Sequence, residues 1–455
     1  MRKALALAAF LAMAPYAQAQ EDANGTFSTN AEYRLRWQYD QNVTGNKDVE
    51  PTSQDAFKQR MKVGGMYKAS DKLSAKITLL HNAGWGIADS NNGDTKAQLN
   101  GVGDGQNLLL VNEAYASWMV SDEFTLRAGR GSLGFGDGTV IAENDWQATP
   151  YSFEGLLGTY EMEFGRVSGF FVRFADYTNT TAQNSSSQDP EANSVGVLYA
   201  HKMLPEFMNR ADVHVLKNTK SYTAAGGTST TATEWGQDIL RYGVSLGGDV
   251  AMIDWRAVYN AHSGDYIASG NGTAVSKVKS EANMMELELG ANFEEFMKSR
   301  FYVLYHQDSG DDGSDATKNK TYDPYFYELH ANAGLMDVVK WGNLTQLSVG
   351  YTMSPMDSTM VGLHYHMFSR TEARGAINAG LNGTSMTSGV STAATAKDKI
   401  GDEIDLVATH DYENGFMMTG RLGMFMPGDA LKDANNTTKH SDTYTTVFVE
   451  AKMNF

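Results

Sequence analysis

The chain contains no cysteine. A disulfide framework and any thiolate metal site are thereby excluded. Proline is scarce, 8 in 455 residues, so little interrupts long extended segments. Positive charge is the minority sign: 37 Lys and Arg stand against 54 Asp and Glu, a net charge of −17. That balance argues against a nucleic-acid partner, which needs a basic face. After residue 19 no run of about eighteen apolar residues occurs, so no helical membrane span is expected in the mature chain. The mean hydropathy of −0.39 would suggest a soluble protein. A membrane β-barrel escapes that inference, because only alternate strand residues must face lipid.

What is present is glycine, 45 residues, and aromatics: 22 Tyr, 20 Phe and 7 Trp. The first segment has the build of a secretory signal peptide. Arg2 and Lys3 supply its charge, residues 4–14 its apolar stretch, and Ala17-Gln18-Ala19 a small-x-small cleavage pattern. The expectation is a leader over residues 1–19 and one domain over 20–455.

The closing segment, residues 443–455, alternates. Met453, Ala451, Val449, Val447 and Thr445 form one set; Asn454, Lys452, Glu450, Phe448 and Thr446 form the other. Period two means a strand with two unlike faces. Ending on aromatic Phe455, it resembles the last strand of a bacterial outer-membrane barrel. Such a strand would engage the barrel-assembly machinery and close the ring beside residues 31–40.

The same alternation recurs along the chain. In residues 31–40, Tyr33, Leu35, Trp37 and Tyr39 oppose Glu32, Arg34, Arg36 and Gln38. Segments of this kind are separated by alternately short and long connections. Short turns fall near residues 70–72, 121–122, 165–166, 204–209, 248–249, 294–298, 354–358 and 413–415. Long polar loops fall between them. The count is about 18 strands. The fold class is therefore all-β: a transmembrane antiparallel β-barrel with short periplasmic turns and long extracellular loops. Backbone hydrogen bonding forces such a sheet to close. The implied location is the bacterial outer membrane, with the lipid bilayer and lipopolysaccharide as surroundings. Tyr33, Trp37, Tyr39, Tyr67, Trp118, Tyr160, Tyr199, Trp255, Tyr259, Tyr305, Tyr351 and Tyr365 fall on the apolar face, as interfacial girdles require.

The polar face becomes the lumen. Its cations include Arg34, Arg36, Arg60, Lys62, Arg127, Arg241, Arg256 and Arg421. Its anions include Asp212, Asp254, Glu286, Glu288, Glu403, Asp405 and Glu450. Cations dominate the first strands; anions dominate around Glu286 and Glu403. Rings of charge are the usual basis of pore selectivity. Cross-strand ion pairs would make about half of these groups structural.

Residues 127–158 read RAGRGSLGFGDGTVIAENDWQATPYSFEGLLG. Gly129, Arg130, Gly136, Asp137, Asn144, Asp145, Trp146, Phe153, Glu154 and Gly155 resemble the signature of the alginate-export family of outer-membrane porins. Residues 113–115 and 401–406 look similar to that family as well. The resemblance implies a porin. A pore for an acidic polysaccharide implies a strongly basic lumen, whereas the lumen read here has mixed sign.

Within this segment, residues 132–150 form a long loop expected to fold inward and narrow the lumen. Gly134, Gly136 and Gly138 permit tight turns. Asp137, Glu143 and Asp145 are expected to pair with Arg127 and Arg130. Four carboxylates, Asp308, Asp311, Asp312 and Asp315, crowd into eight residues. They form a candidate weak calcium site, although their spacing fits no EF-hand; no other cofactor is implied.

The function expected from this is passive passage of small hydrophilic or charged solutes, saccharides among them. The candidate pore-lining residues are Arg34, Arg36, Arg60, Arg127, Arg130, Asp137, Asp145, Glu286, Glu288, Glu403 and Asp405. Two other classes stay open: a structural or adhesion barrel plugged by its own loops, and a barrel enzyme built on His364 and His366.

Overall fold

A computed structural model describes residues 25–43, 45–48, 52–85, 108–175, 192–222, 234–268, 276–330, 332–381, 384–385, 395–412, 414–432 and 440–455. The leader call lies outside these residues. The strands are β1 (Thr26–Gln41), β2 (Ser53–Lys68), β3 (Leu73–Gly84), β4 (Leu108–Met119), β5 (Phe124–Gly131) and β6 (Phe153–Met162). They continue as β7 (Gly165–Ala175), β8 (Ala192–His201), β9 (Arg210–Tyr222), β10 (Glu234–Val250), β11 (Ile253–Ala268) and β12 (Ser276–Phe293). The last are β13 (Ser299–Asp308), β14 (Thr345–Met356), β15 (Thr359–Ser369), β16 (Lys399–Asp411), β17 (Phe416–Pro427) and β18 (Tyr444–Asn454).

Each strand pairs antiparallel with its neighbours in sequence, and β18 returns to β1. The ring of 18 strands is closed. In the closing pair Arg36 faces Glu450 and Arg34 faces Lys452, all four on the lumen side. Short turns and long connections alternate around the ring.

The barrel is turned inside out relative to a soluble protein. Its exposed side chains include Tyr67, Trp118, Leu156, Val195, Val215, Leu287, Leu289 and Leu363. Its buried ones include Arg34, Arg60, Asp212, Arg241, Glu286, His306, Glu403 and Asp405. Lipid takes up the apolar face, so the pattern fits the medium.

The lumen departs from the purely polar lining that alternation suggests. Two apolar clusters sit inside the ring. One gathers Trp341, Tyr327, Val338 and Leu344 from the β13–β14 connection against Phe368, Ile400, Phe425 and Tyr444 of the wall. The other gathers Leu133, Val140 and Ile141 from the β5–β6 connection against Phe170, Val172, Leu198 and Leu216. Wall positions that meet an in-folded loop are apolar because they bury a core of their own.

Candidate functional site

The site is the lumen together with the two connections that enter it, residues 132–152 and 309–344. Why the first enters follows from β1 and β2. Their register places Arg34 opposite Arg60 and Arg36 opposite Lys58, with Lys62 one pair further on. Like charges directly across a sheet repel. The loop supplies the acceptors that offset them. Arg34 donates to the carbonyls of Asp145 (2.9 Å), Trp146 (3.0 Å) and Gln147 (3.0 Å). Arg60 donates to the carbonyls of Asp145 (2.7 Å) and Gln147 (2.9 Å) and to the Asp145 carboxylate (3.0 Å). Lys62 pairs with the other Asp145 oxygen. Burial alone would raise the Asp145 carboxyl, but the charges of Arg60 and Lys62 outweigh it and hold it at about 2.

Arg36 donates to the Trp146 carbonyl at 2.7 Å and pairs with Glu450 on β18. Its guanidinium also lies 3.7 Å from the centre of the Trp146 ring. Arg60 is held from its own wall by Glu32, at 2.5 Å. These cations form a clamp more than a free ladder: Arg34 is 4 % and Arg60 1 % exposed.

The other end of the loop reaches the opposite wall. Asp137 Oδ2 accepts from Ser245 on β10 (3.0 Å) and from Arg256 on β11 (3.2 Å), with Arg210 of β9 at 3.8 Å. Burial pushes the Asp137 carboxyl up, but Arg256 and its hydrogen-bond donors hold it below the ordinary value. Strands β1 and β10 stand half a ring apart. The loop therefore crosses the lumen along a diameter. Gly136 and Gly138 carry positive φ at its turn, +60° and +78°.

Around Asp137 the wall carries a belt of alternating sign. Arg256 pairs with Glu286 (2.5 Å) and Glu288 (3.4 Å). Arg300 pairs with Glu288 and Asp254, both at 2.6 Å. Arg210 lies 3.7 Å from Asp212. Arg256, Arg300, Asp254 and Glu288 keep part of their side chains accessible.

The second connection, one of the long polar loops, also enters the lumen beyond its exposed acidic start. It runs beside the first: Ile141 and Phe326 form a parallel bridge, and Leu329 N donates to Asn144 Oδ1 at 3.2 Å. Asp323 receives Arg241 at 2.6 Å. His330 stacks on Trp146, takes a hydrogen bond from Arg421 through Nε2, and meets Asp337 through Nδ1 at 2.8 Å. The density of aromatics between Tyr322 and Trp341 is the signal in the sequence that points to this burial.

Three sequence expectations need correction. Arg130 lies on the outward face, paired with Glu154 at 2.9 Å and bonded to the carbonyl of outward-facing Val111. The alternation around Gly129 sends Arg127 inward and its neighbour at 130 out. Arg127 meets no loop carboxylate; it donates to the Ser132 carbonyl and covers the Tyr115 ring at 4.9 Å. Glu143 stays exposed. The four loop aspartates do not converge. Asp308 is buried against His306, 3.1 Å away, whereas Asp311, Asp312 and Asp315 cap the backbone of Gly313, Ser314 and Thr317. Among the described residues the grouping of potential ligands is His366, Glu403 and Asp405, side by side on β15 and β16.

A sequence model of the alginate export family matches residues 27–445. The chain belongs to that family and is an outer-membrane barrel. No curated protein matches it in sequence. Among solved structures it is similar to OccK8 (OprE) of Pseudomonas aeruginosa. The identity is 10 %, the match covers 94 % of this chain and 98 % of that one, and the TM-score is 0.57. OccAB1 of Acinetobacter baumannii is alike at 10 % identity, 94 % and 96 % coverage and a TM-score of 0.58. The outer membrane protein OpdK of Pseudomonas aeruginosa matches at 10 %, 94 % and 99 %, and 0.54. At such identities the likeness is one of fold.

Proposed function

We propose that this member of the alginate-export family is a passive channel for small hydrophilic or charged solutes, saccharides among them. The observation that carries the reading is the loop crossing the lumen from Arg60 to Arg256. A barrel of 18 strands is wide enough for a water-filled bore. A strap fixed at both ends of a diameter narrows that bore without sealing it by itself. The belt of Arg210, Asp212, Asp254, Arg256, Glu288 and Arg300 then offers a moving solute partners of both signs. Exchange between such partners holds a charged solute weakly enough to release it. Lumen residues Glu286, Glu403 and Asp405 are too buried to meet a solute directly; in this reading they shape the wall.

The loop-plugged alternative draws on the two apolar clusters inside the ring. The enzyme alternative draws on His364 and His366, and the nucleophile type nearest to them is Ser348, its Oγ 2.7 Å from His366 Nδ1. Ser348 is 1 % exposed, which leaves a substrate no approach to its oxygen. We therefore read the chain as a channel and not an enzyme.

Purified protein in a planar bilayer tests this, with single-channel conductance and the reversal potential under a salt gradient. Discrete openings whose selectivity shifts in Asp137→Asn and Arg256→Gln support the channel. Absence of openings in folded, inserted protein supports the plugged barrel instead.

A further inference from the structure

Two clusters of one histidine and two carboxylates are buried in the wall, and they are balanced differently. In the first, His306 stands between Glu286 (3.0 Å) and Asp308 (3.1 Å). Arg256 supplies a cation to Glu286, and Gly342 N donates to Asp308 at 2.6 Å. Glu286 Oε1, His306 Nε2 and Asp308 Oδ1 also lack a well-aligned hydrogen bond, but each has an ion-pair partner within 3.1 Å.

The second cluster, His366 with Glu403 and Asp405, does not. Glu403 is fully buried and Asp405 is 2 % exposed. They project from the same face of β16, two residues apart, and His366 is paired with Glu403 across the β15–β16 ladder. No arginine or lysine among the described residues forms an ion pair with either carboxylate. His366, 5 % exposed, has no hydrogen-bond partner at Nε2, and that nitrogen points at Asp405 Oδ2 from 3.5 Å. Glu403 Oε2 and Asp405 Oδ2 also lack hydrogen-bond partners. Two adjacent buried carboxylates without a cation are costly. Something positive belongs between these three atoms.

We propose that His366, Glu403 and Asp405 bind a divalent first-row transition ion, of which zinc is the probe. The three ligand atoms lie within 4.8 Å of one another. Zinc holds nitrogen and oxygen ligands at about 2.0–2.2 Å, so its ligands stand roughly 3.3–3.6 Å apart. Side-chain rotations of about 1 Å close the difference. One imidazole with two carboxylates selects a transition ion over calcium or magnesium, which prefer oxygen throughout. The surroundings suit the task. Ser348 Oγ contacts His366 Nδ1 and is itself held by Gln346 at 2.8 Å, which orients the ring with Nε2 inward. The in-folded connection roofs the site: Met336 N donates to Glu403 Oε1 at 3.0 Å. Gly334, at φ +81°, lies so close that a Cβ there would stand 2.2 Å from Glu403 Oε1. Three protein ligands leave an open coordination position for water.

The test is zinc binding to chelator-stripped, detergent-solubilised full-length barrel, by equilibrium dialysis with elemental analysis. One zinc per barrel is expected, with affinity falling at least tenfold in His366→Gln, Glu403→Gln and Asp405→Asn. Asp311→Asn, an exposed loop carboxylate, should leave it unchanged, and excess calcium or magnesium should not compete. Cobalt in the unaltered protein provides a readout that needs no variant: a protein-bound visible spectrum that zinc abolishes. Zinc binding equal in the three variants and the parent overturns the assignment. So does the lack of stoichiometric zinc and of a cobalt spectrum in folded parent protein. A proton shared by the two carboxylates would then be what balances the site.

Discussion

The indole of Trp146 and the imidazole of His330 are stacked, ring centres 3.6 Å apart and planes 10° from parallel. The two rings belong to different connections. Arg36 of the wall lies 3.7 Å from the same indole centre, which sterics place on the opposite face. Trp146 thus joins β1, the strap across the lumen and the longer connection between β13 and β14 in one stack.

Trp146→Ala removes that joint. A stacked pair and a shielded cation–π contact together account for about 3 kcal/mol. The undocked population of the strap should rise by about a hundredfold. The expected result is a folded barrel with noisier, larger single-channel currents and faster proteolytic cleavage within residues 132–150. Trp146→Phe, which keeps the stack, should recover most of the parental behaviour. Parental noise and protease resistance in the alanine variant would show that the stack does not hold the strap.

The salt clamp fails in a different pH range from the stack. Asp145 is held at about 2, below its ordinary 3.8. A depressed carboxyl contributes its stability in full above the ordinary value and loses it as pH falls through the lowered one. Asp145 should therefore hold the strap unchanged from neutrality to about pH 4 and release it between about 4 and 2. Asp145→Asn should abolish that acid transition in conductance. Arg60→Ala should act more strongly, because it also leaves Glu32 with Lys452 as its remaining ion-pair partner and the Asp145 and Gln147 carbonyls with Arg34 as their remaining side-chain donor. Breaking such a buried pair costs about 3 kcal/mol.

His330 titrates nearer to neutrality. Burial disfavours its imidazolium, Asp337 favours it, and the guanidiniums of Arg421 and Arg36 oppose it; the balance lies below the ordinary value of 6.5. The neutral ring accepts from Arg421 at Nε2 and donates to Asp337 from Nδ1. A lowered histidine gives its full contribution above the ordinary pKa and loses it as pH falls from there through the lowered value. Current noise should therefore grow on acidification below about 6.5, before the Asp145 transition begins. His330→Gln should flatten this first step and spare the second.

Much of this arrangement was legible in the sequence, and the limits are physical. Period-two alternation carries strand faces, so the inward Arg34, Arg36 and Glu450 and the outward Tyr67 and Trp118 could be read directly. Alternation also placed Glu450 and Lys452 of the closing strand on the same face as Arg34 and Arg36, which they meet in the closing pair. It says nothing about which wall a loop reaches. Asp137 meets Arg256, more than a hundred residues away, where proximity in sequence suggests Arg127. Arg130 looked like a pore residue because it belongs to the family-like segment, yet it stands three positions from Arg127, and an odd separation along a strand puts two residues on opposite faces. The aromatics from Tyr322 to Trp341 sit among Asp, Asn and Gly, a composition that masks a buried segment. Lumen positions such as Phe170 and Leu216 break the polar pattern for the same reason.

The closing strand offers the last prediction. Phe455 is 75 % exposed, and its side chain adds little to the interior. Its backbone is engaged on both sides: Phe455 N donates to the Ala31 carbonyl at 2.8 Å, and Ala31 N donates to the Phe455 carbonyl at 3.1 Å. These bonds extend the ladder that joins β18 to β1 by one step. Deleting Phe455 removes a terminal pair of hydrogen bonds, about 1–3 kcal/mol, from a ring whose other strands are untouched. Ground-state stability should fall modestly, and conductance of barrels that do insert should be parental. Whether the exposed aromatic ring matters for assembly apart from these bonds is a separate question. Phe455→Ala keeps the backbone bonds and loses the ring. If recognition of the ring matters, that variant should accumulate uninserted in cells while refolding normally into detergent. If only the ladder matters, Phe455→Ala should insert like the parent and the deletion alone should fail. Membrane fractionation with heat-modified gel migration separates the two outcomes.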